Sequence, residues 1–192
     1  MCGIVGVVGN SNAVDILIQG LEKLEYRGYD SAGIYVTDAP DKGCLVKSVG
    51  RIADLRAKIS SDVKGSTGIG HTRWATHGQA TEDNAHPHTS ETGRFVLVHN
   101  GVIENYLQIK EEYLQGHKFK GQTDTEIAVH LIGKFVDEDG LSVLEALKKS
   151  LHIIQGSYAF ALVDSQAPDT IYVAKNKSPL LIGVGEGYNM VC

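Results

Sequence analysis

The stretch MCGIVGVVGN, residues 1–10, decides how the rest of the chain is read. Residues 3–8 are apolar nearly throughout, the pattern of a strand buried on both faces. Cys2 stands directly before this strand, behind the initiator methionine. A cysteine there is either a small buried hydrophobe or a nucleophile held on a rigid mount. The residues further along the chain discriminate between the two.

Outward from this strand, Val14, Leu17, Ile18, Leu21 and Leu24 recur at helical spacing, with Asn12 placed to cap and Asp15 in the first turn. GIYV (33–36) and CLVKSV (44–49) read as strands, and Ile52, Leu55 and Ile59 mark a short helix. GIGHT (68–72) and RFVLVHN (94–100) read as strands around a long polar, histidine-rich loop. Residues 102–115 carry a helical pattern. Thr123-Asp124-Thr125-Glu126 reads as a capping box opening a second helix, and Ser142-Val143-Leu144-Glu145 as another box opening a helix to about Ile154. Strands are expected at 157–164, 170–174 and 179–185. The last residues, 188–192, look like interrupted strand, so a domain truncated at its C-terminus is expected. Strands first and last, with helices between, predict an α+β layered sandwich and not a doubly wound βαβ protein. Helices on both outer sides would account for strands apolar on both faces.

The 192 residues suit one domain over 1–192. A net charge of −5 argues against nucleic acid or an anionic membrane as partner. No apolar run approaches the ~20 residues of a membrane span, and residues 1–9 lack the flank and cleavage site of a signal peptide. Three cysteines, Cys2, Cys44 and Cys192, lie far apart with no Cys-x-x-Cys. Neither a disulfide framework nor a zinc knuckle follows, and a cytoplasmic location fits.

Four stretches carry chemistry. If Met1 is removed, Cys2 gains a free α-amine whose ordinary pKa is about 7.7–8.0, a base beside a nucleophile. In His71-Thr72-Arg73-Trp74-Ala75-Thr76-His77-Gly78, an arginine among hydroxyls can clamp a carboxylate, though a surface arginine in a loop reads the same way. Asn100-Gly101 at a strand end can supply two oxyanion donors, or be a plain turn. Asp124 opens a helix, where the dipole alone favours an acid. His71, His77, His86, His88 and His99 are scattered and make no metal motif, so no metal is expected. Gly183-Val184-Gly185-Glu186-Gly187 lacks the last glycine of a nucleotide loop and no helix pattern follows.

Taken together, MCGIVG (1–6), LEYRGYDSAGI (24–34), GHTRWATHG (70–78), NAHPH (84–88), VHNGVIEN (98–105), TDTE (123–126) and KSPLLIGVGEG (177–187) resemble the class II glutamine amidotransferases. Within them, the chain looks like the glutaminase domain of the branch that aminates fructose 6-phosphate. The resemblance implies an N-terminal-nucleophile αββα sandwich hydrolysing L-glutamine through a Cys2 thioester, with no cofactor. It implies that Asn100 and Gly101 form the oxyanion hole. Arg73 would hold the α-carboxylate and Asp124 the α-ammonium. Thr76 and His77 would line the pocket, Trp74 would gate an ammonia channel, and Arg27 would order the site. The partners implied are L-glutamine and a C-terminal sugar-isomerase domain absent here, with a homodimer allowed. Ammonia would then convert fructose 6-phosphate to glucosamine 6-phosphate. An amidophosphoribosyltransferase-type glutaminase, an amidase for another amide, and a non-catalytic glutamine-binding module remain as alternatives.

Overall fold

A computed structural model describes residues 2–9, 12–74 and 78–192. The chain runs β1 (Gly3–Val8), α1 (Ala13–Leu24), a 3-10 turn (Glu25–Arg27), β2 (Ser31–Thr37), β3 (Cys44–Val49), α2 (Ile52–Lys58) and β4 (Thr67–Arg73). It continues through β5 (His88–Thr89), β6 (Phe95–Ile103), α3 (Tyr106–Tyr113), α4 (Asp124–Asp137) and α5 (Val143–Ile153). Four strands close it: β7 (Gly156–Asp164), β8 (Ile171–Asn176), β9 (Ile182–Val184) and β10 (Asn189–Val191). One sheet has the order β3-β2-β4-β1-β10-β9 and the other β5-β6-β7-β8, and every strand pair is antiparallel.

Three apolar layers hold these elements together. Leu17 and Leu21 of α1 and Leu55 of α2 pack on Val5, Val7, Ile34 and Val36 of the first sheet. Ile4, Tyr35 and Ile69 meet Val96, Val98, Ala159, Ala161 and Val163 between the sheets. Phe95, Leu97, Phe160 and Leu162 are covered by Ile127, Leu131 and Phe135 of α4 and Leu147 of α5. The result is the expected α+β sandwich in four layers, αββα, and it explains why β2 and β4 are buried along their whole length.

The period-two alternation of strands then decides what faces the middle. On β4 the inward row that contains Ile69 also contains His71 and Arg73. On β6 the row with Val96 and Val98 ends at Asn100. On β1 the row with Ile4 begins at Cys2. Apolar contact in the middle of the sandwich therefore gives way to polar residues at one end of the same layer.

Several expected boundaries move. The helix expected at 102–115 is shorter, at Tyr106–Tyr113, because β6 runs on to Ile103 and pairs Gly101, Val102 and Ile103 with Tyr158, Ser157 and Gly156. The long partner strand β7 outcompetes the helical pattern. Asn12 occupies the N-cap position of α1 without a side-chain capping bond. Thr123 caps α4 by accepting from the Glu126 N–H, but the Glu126 carboxylate turns back to the N–H groups of Lys120 and Gly121 instead of closing a box. Ser142 and Glu145 do form the full box. The strand expected at 179–185 is three residues long, in a hairpin with β10.

Four histidines, His71, His86, His88 and His99, are buried at the polar end. Burial pushes His71 down to about 3 and drives His86 and His88 well below the ordinary imidazole range; it lowers His99 as well. All four are therefore neutral in the folded protein near neutral pH.

Two outcomes follow from this packing. Ile69→Ala, in the fully buried layer between the sheets, should lower unfolding free energy by about 2–5 kcal/mol in urea titrations. A loss below about 1 kcal/mol would contradict the packing. Because the folded histidines resist protons that the unfolded chain accepts, stability should fall as pH drops from about 6.5 toward about 3. Each such group adds a slope of up to about 1.4 kcal/mol per pH unit in that window. Urea midpoints that stay flat below about pH 6.5 would contradict a neutral cluster.

Candidate active site

Strand register brings the pieces together. Gly3 pairs with Thr72, so Cys2 falls opposite Arg73 at the end of the β1–β4 ladder. The Trp74 N–H donates to Cys2 Sγ at 3.3 Å. Burial pushes the Cys2 thiol up; the Trp74 N–H and Arg73 oppose the rise, and Asp30 adds to it. A protonated resting thiol is the consequence, so attack by this sulfur needs a base.

Asn100 ends the inward row of β6. Its Oδ1 lies 2.9 Å from His71 Nε2, which also lies 3.0 Å from the His99 carbonyl oxygen. Two carbonyl-type oxygens on one nitrogen require that Nε2 carry the proton. The Asn100 amide is thereby oriented, and its Nδ2 donates toward the Cys2 carbonyl oxygen at 3.4 Å. Gly101 follows with φ 134°, and a Cβ at this position would fall 2.1 Å from the Ser157 carbonyl oxygen. Only glycine can continue β6 past Asn100 in that conformation.

Arg73 is buried. Its Nη1 and Nη2 donate to the carbonyl oxygens of Gln79 and Gly78 at 3.2 and 3.3 Å, and Asp30 Oδ1 lies 3.9 Å away. Asp124, the first residue of α4, accepts the Ile103 N–H at 2.8 Å through Oδ2, which is also 3.9 Å from His99 Nδ1. The helix N-terminus favours its charge, and the end of β6 fixes its direction. Cys2, Arg73, Trp74, Gly101 and Asp124 line one cleft, together with His86, His99, Thr123 and Thr125. A wider groove lies between α1 and α2, lined by Asn12, Ile18, Arg56 and Lys64, but it brings no nucleophile and oxyanion donor together.

Trp74 is half exposed at the rim and packs edge-on against Tyr29, with ring centres 5.3 Å apart. Arg27 closes the 3-10 turn and is not among the described residues lining the cleft. Its neighbours supply the support: a Cβ on Gly28 would fall 2.9 Å from the Arg73 carbonyl carbon, and the Asp30 N–H donates to the Arg73 carbonyl oxygen at 3.1 Å. The segment thus packs on the Arg73–Trp74 backbone. Thr76 and His77 lie outside the described residues.

Sequence reading missed two contributors. His71 was weighed there only as a metal ligand, yet it orients Asn100. Thr125 was noticed only as part of a helix start, yet its Oγ1 bridges His86 Nε2 and His99 Nδ1, both at 2.9 Å. With His88 Nε2 at 3.0 Å from Thr123 Oγ1, His86, His88 and His99 hang on the N-cap and first turn of α4 by hydrogen bonds. Neither role has a sequence signal, because each partner lies 26 or more residues away.

The chain also resembles known proteins. A family model for the glutamine amidotransferase domain matches residues 71–191. Over all 192 residues it is 84% identical to the glutamine–fructose-6-phosphate aminotransferase (isomerizing) of Streptococcus pyogenes serotype M1. The corresponding proteins of Streptococcus mutans and Streptococcus pneumoniae are 83% and 82% identical. The chain spans 32% of the length of these relatives. Among solved structures, the glutamine phosphoribosylpyrophosphate amidotransferase from B. subtilis, complexed with ADP and GMP, matches all of this chain and 41% of its own, with TM-score 0.84 and 31% identity. A structure described as the allosteric regulatory enzyme of purine biosynthesis matches with TM-score 0.84 and 32% identity. Both the family model and the αββα architecture of these neighbours lead to one conclusion: the chain belongs to the glutamine amidotransferase domain family.

Proposed function

We propose that this chain hydrolyses L-glutamine to glutamate and ammonia through a thioester on Cys2. The observation that carries the reading is the meeting of a half-buried thiol with an asparagine amide whose donor end is turned toward residue 2 by His71. Such an amide is preorganised for an oxyanion, since its orientation is paid for before substrate arrives.

The steps use groups already in place once Met1 is removed. The α-amine of Cys2 takes the thiol proton, directly or through one water. The sulfur attacks the side-chain amide carbon of glutamine, and negative charge develops on the amide oxygen. Asn100 Nδ2 and the Gly101 N–H stabilise it. The C–N bond breaks as the ammonium form of the amine returns its proton to the leaving nitrogen, releasing ammonia. Water, deprotonated by the same amine, then attacks the thioester carbon; glutamate leaves and the thiol is restored. Arg73 holds the α-carboxylate and Asp124 the α-ammonium, a matched pair for a zwitterion. Thr76 and His77 are assigned to glutamine recognition by the family resemblance alone, and Arg27 belongs to the segment that supports Arg73 and Trp74.

In the longer protein the ammonia passes under Trp74 to a sugar-isomerase domain, where fructose 6-phosphate becomes glucosamine 6-phosphate. The names of the streptococcal relatives, at 82–84% identity, support this acceptor over phosphoribosyl pyrophosphate, whose enzymes resemble the chain at 31–32%. A cytoplasmic enzyme, with a homodimer allowed, fits this reading; among the described residues no helix is long and apolar enough to cross a membrane.

Glutaminase assays test the thioester. Cys2→Ala should be inactive, and Asn100→Ala should lose about 10²–10³-fold in kcat. Wild-type activity in Cys2→Ala would end the reading. Removing a zwitterion clamp should act differently: Arg73→Ala should lose most of its preference for glutamine over the same amide lacking the α-carboxylate. An unchanged preference would take that role from Arg73.

A further inference from the structure

A second cluster of chemistry-bearing side chains gathers on α4 and the segments beside it, and none of its members lines the catalytic cleft. His130, on α4, is buried, and His117 lies in the loop between α3 and α4. Their Nδ1 atoms face each other at 3.3 Å. Glu91, in the turn between β5 and β6, places Oε2 2.8 Å from the same His117 nitrogen. All three ligand atoms lie within 4.8 Å of one another. The three ligand atoms come from three separate segments of the chain and converge on one point.

The spacing favours a metal. In a tetrahedral zinc site with ligand distances near 2.0–2.1 Å, neighbouring ligand atoms are about 3.3 Å apart. The two ring nitrogens stand at that separation, and Glu91 Oε2, 2.8 Å from His117 Nδ1, has to move out by about 0.5 Å to join the same sphere. Behind His117, Nε2 lies 3.3 Å from Glu138 Oε1. A metal on Nδ1 would put the ring proton on Nε2 facing that carboxylate, the arrangement in which a carboxylate orients a metal-bound imidazole. Lys134, which lines the same groove, pairs instead with Glu138 Oε2 at 2.7 Å and Asp139 at 3.8 Å. Glu91 is partly exposed and lines a solvent-open groove with His117, so one side of the cluster is left for water.

We propose that Glu91, His117 and His130 bind one zinc-class divalent ion, with water as the fourth ligand and Glu138 supporting His117. The metal ties the turn before β6 and the loop before α4 to α4 itself. That helix carries Asp124 at its start, so the site braces the element on which the candidate substrate clamp stands. It is a structural site, distinct from the reaction at Cys2. No sequence motif announces it: the two histidines are 13 residues apart and Glu91 is 26 before the first.

Titration with Co²⁺, followed by its visible absorption, tests this on the chain as it stands. The expected result is a single equivalent bound with the intense band of four-coordinate cobalt, displaced by Zn²⁺, and a Zn²⁺-dependent rise in Tm. His117→Gln, in a partly exposed loop, should abolish the band while the variant still unfolds cooperatively. Glu138→Gln should weaken binding by about 10–100-fold, as loss of an outer-shell partner does. Absence of the band in the wild-type chain would overturn the assignment. So would a thiolate-to-cobalt band that survives in His117→Gln, which places the ion on a cysteine instead.

Discussion

The β1–β4 register is the constraint on which the rest depends. Because Gly3 lies against Thr72 and Val5 against Gly70, Cys2 must fall opposite Arg73. A slip by one residue would turn Ile4 and Ile69 out of the layer between the sheets and carry Cys2 and Arg73 with them. The same apolar contacts that hold the sandwich closed thus hold nucleophile and cation side by side. Asn100 joins them for the same reason, since Val96 and Val98 fix the inward parity of β6.

Electrostatics at the polar end follows from this closure. The histidines are buried deeply enough to be neutral, so they act as directional hydrogen-bond partners and add no positive charge. His71 spends its one proton on the Asn100 and His99 oxygens. Among the described residues that line the cleft, the cationic and anionic groups are then Arg73 and Asp124, each fixed by backbone groups of a different element. Separate anchoring keeps the two charges apart, as an amino-acid zwitterion requires. The raised thiol is the counterpart: burial that steadies the neutral histidines also disfavours a thiolate, which is why the proposed mechanism calls on an adjacent amine as base.

The chain's own letters carried most of the elements. The doubly apolar Gly3–Val8 run, the α1 periodicity and the Ser142–Glu145 box appear where local pattern places them. Local pattern failed at Val102 and Ile103, which have helical neighbours in sequence but a strand partner, Ser157 and Gly156, more than fifty residues away. It failed at Glu126 for a similar reason, because the Lys120 and Gly121 N–H groups compete for its carboxylate.

For the candidate site, sequence by itself determined which chemical groups exist: a cysteine at position 2, an Asn-Gly at a strand end, an arginine before the sole tryptophan, an acid opening a helix. It also determined the family, because those short motifs survive as contiguous letters. Only tertiary structure decided how they act on one another. His71 holding Asn100, Thr125 joining His86 to His99, and the His117–His130 pair with Glu91 all join residues distant in the chain. Their physical basis is sheet register and layer closure, which set distance and burial together, and neither quantity is written in any local run of residues.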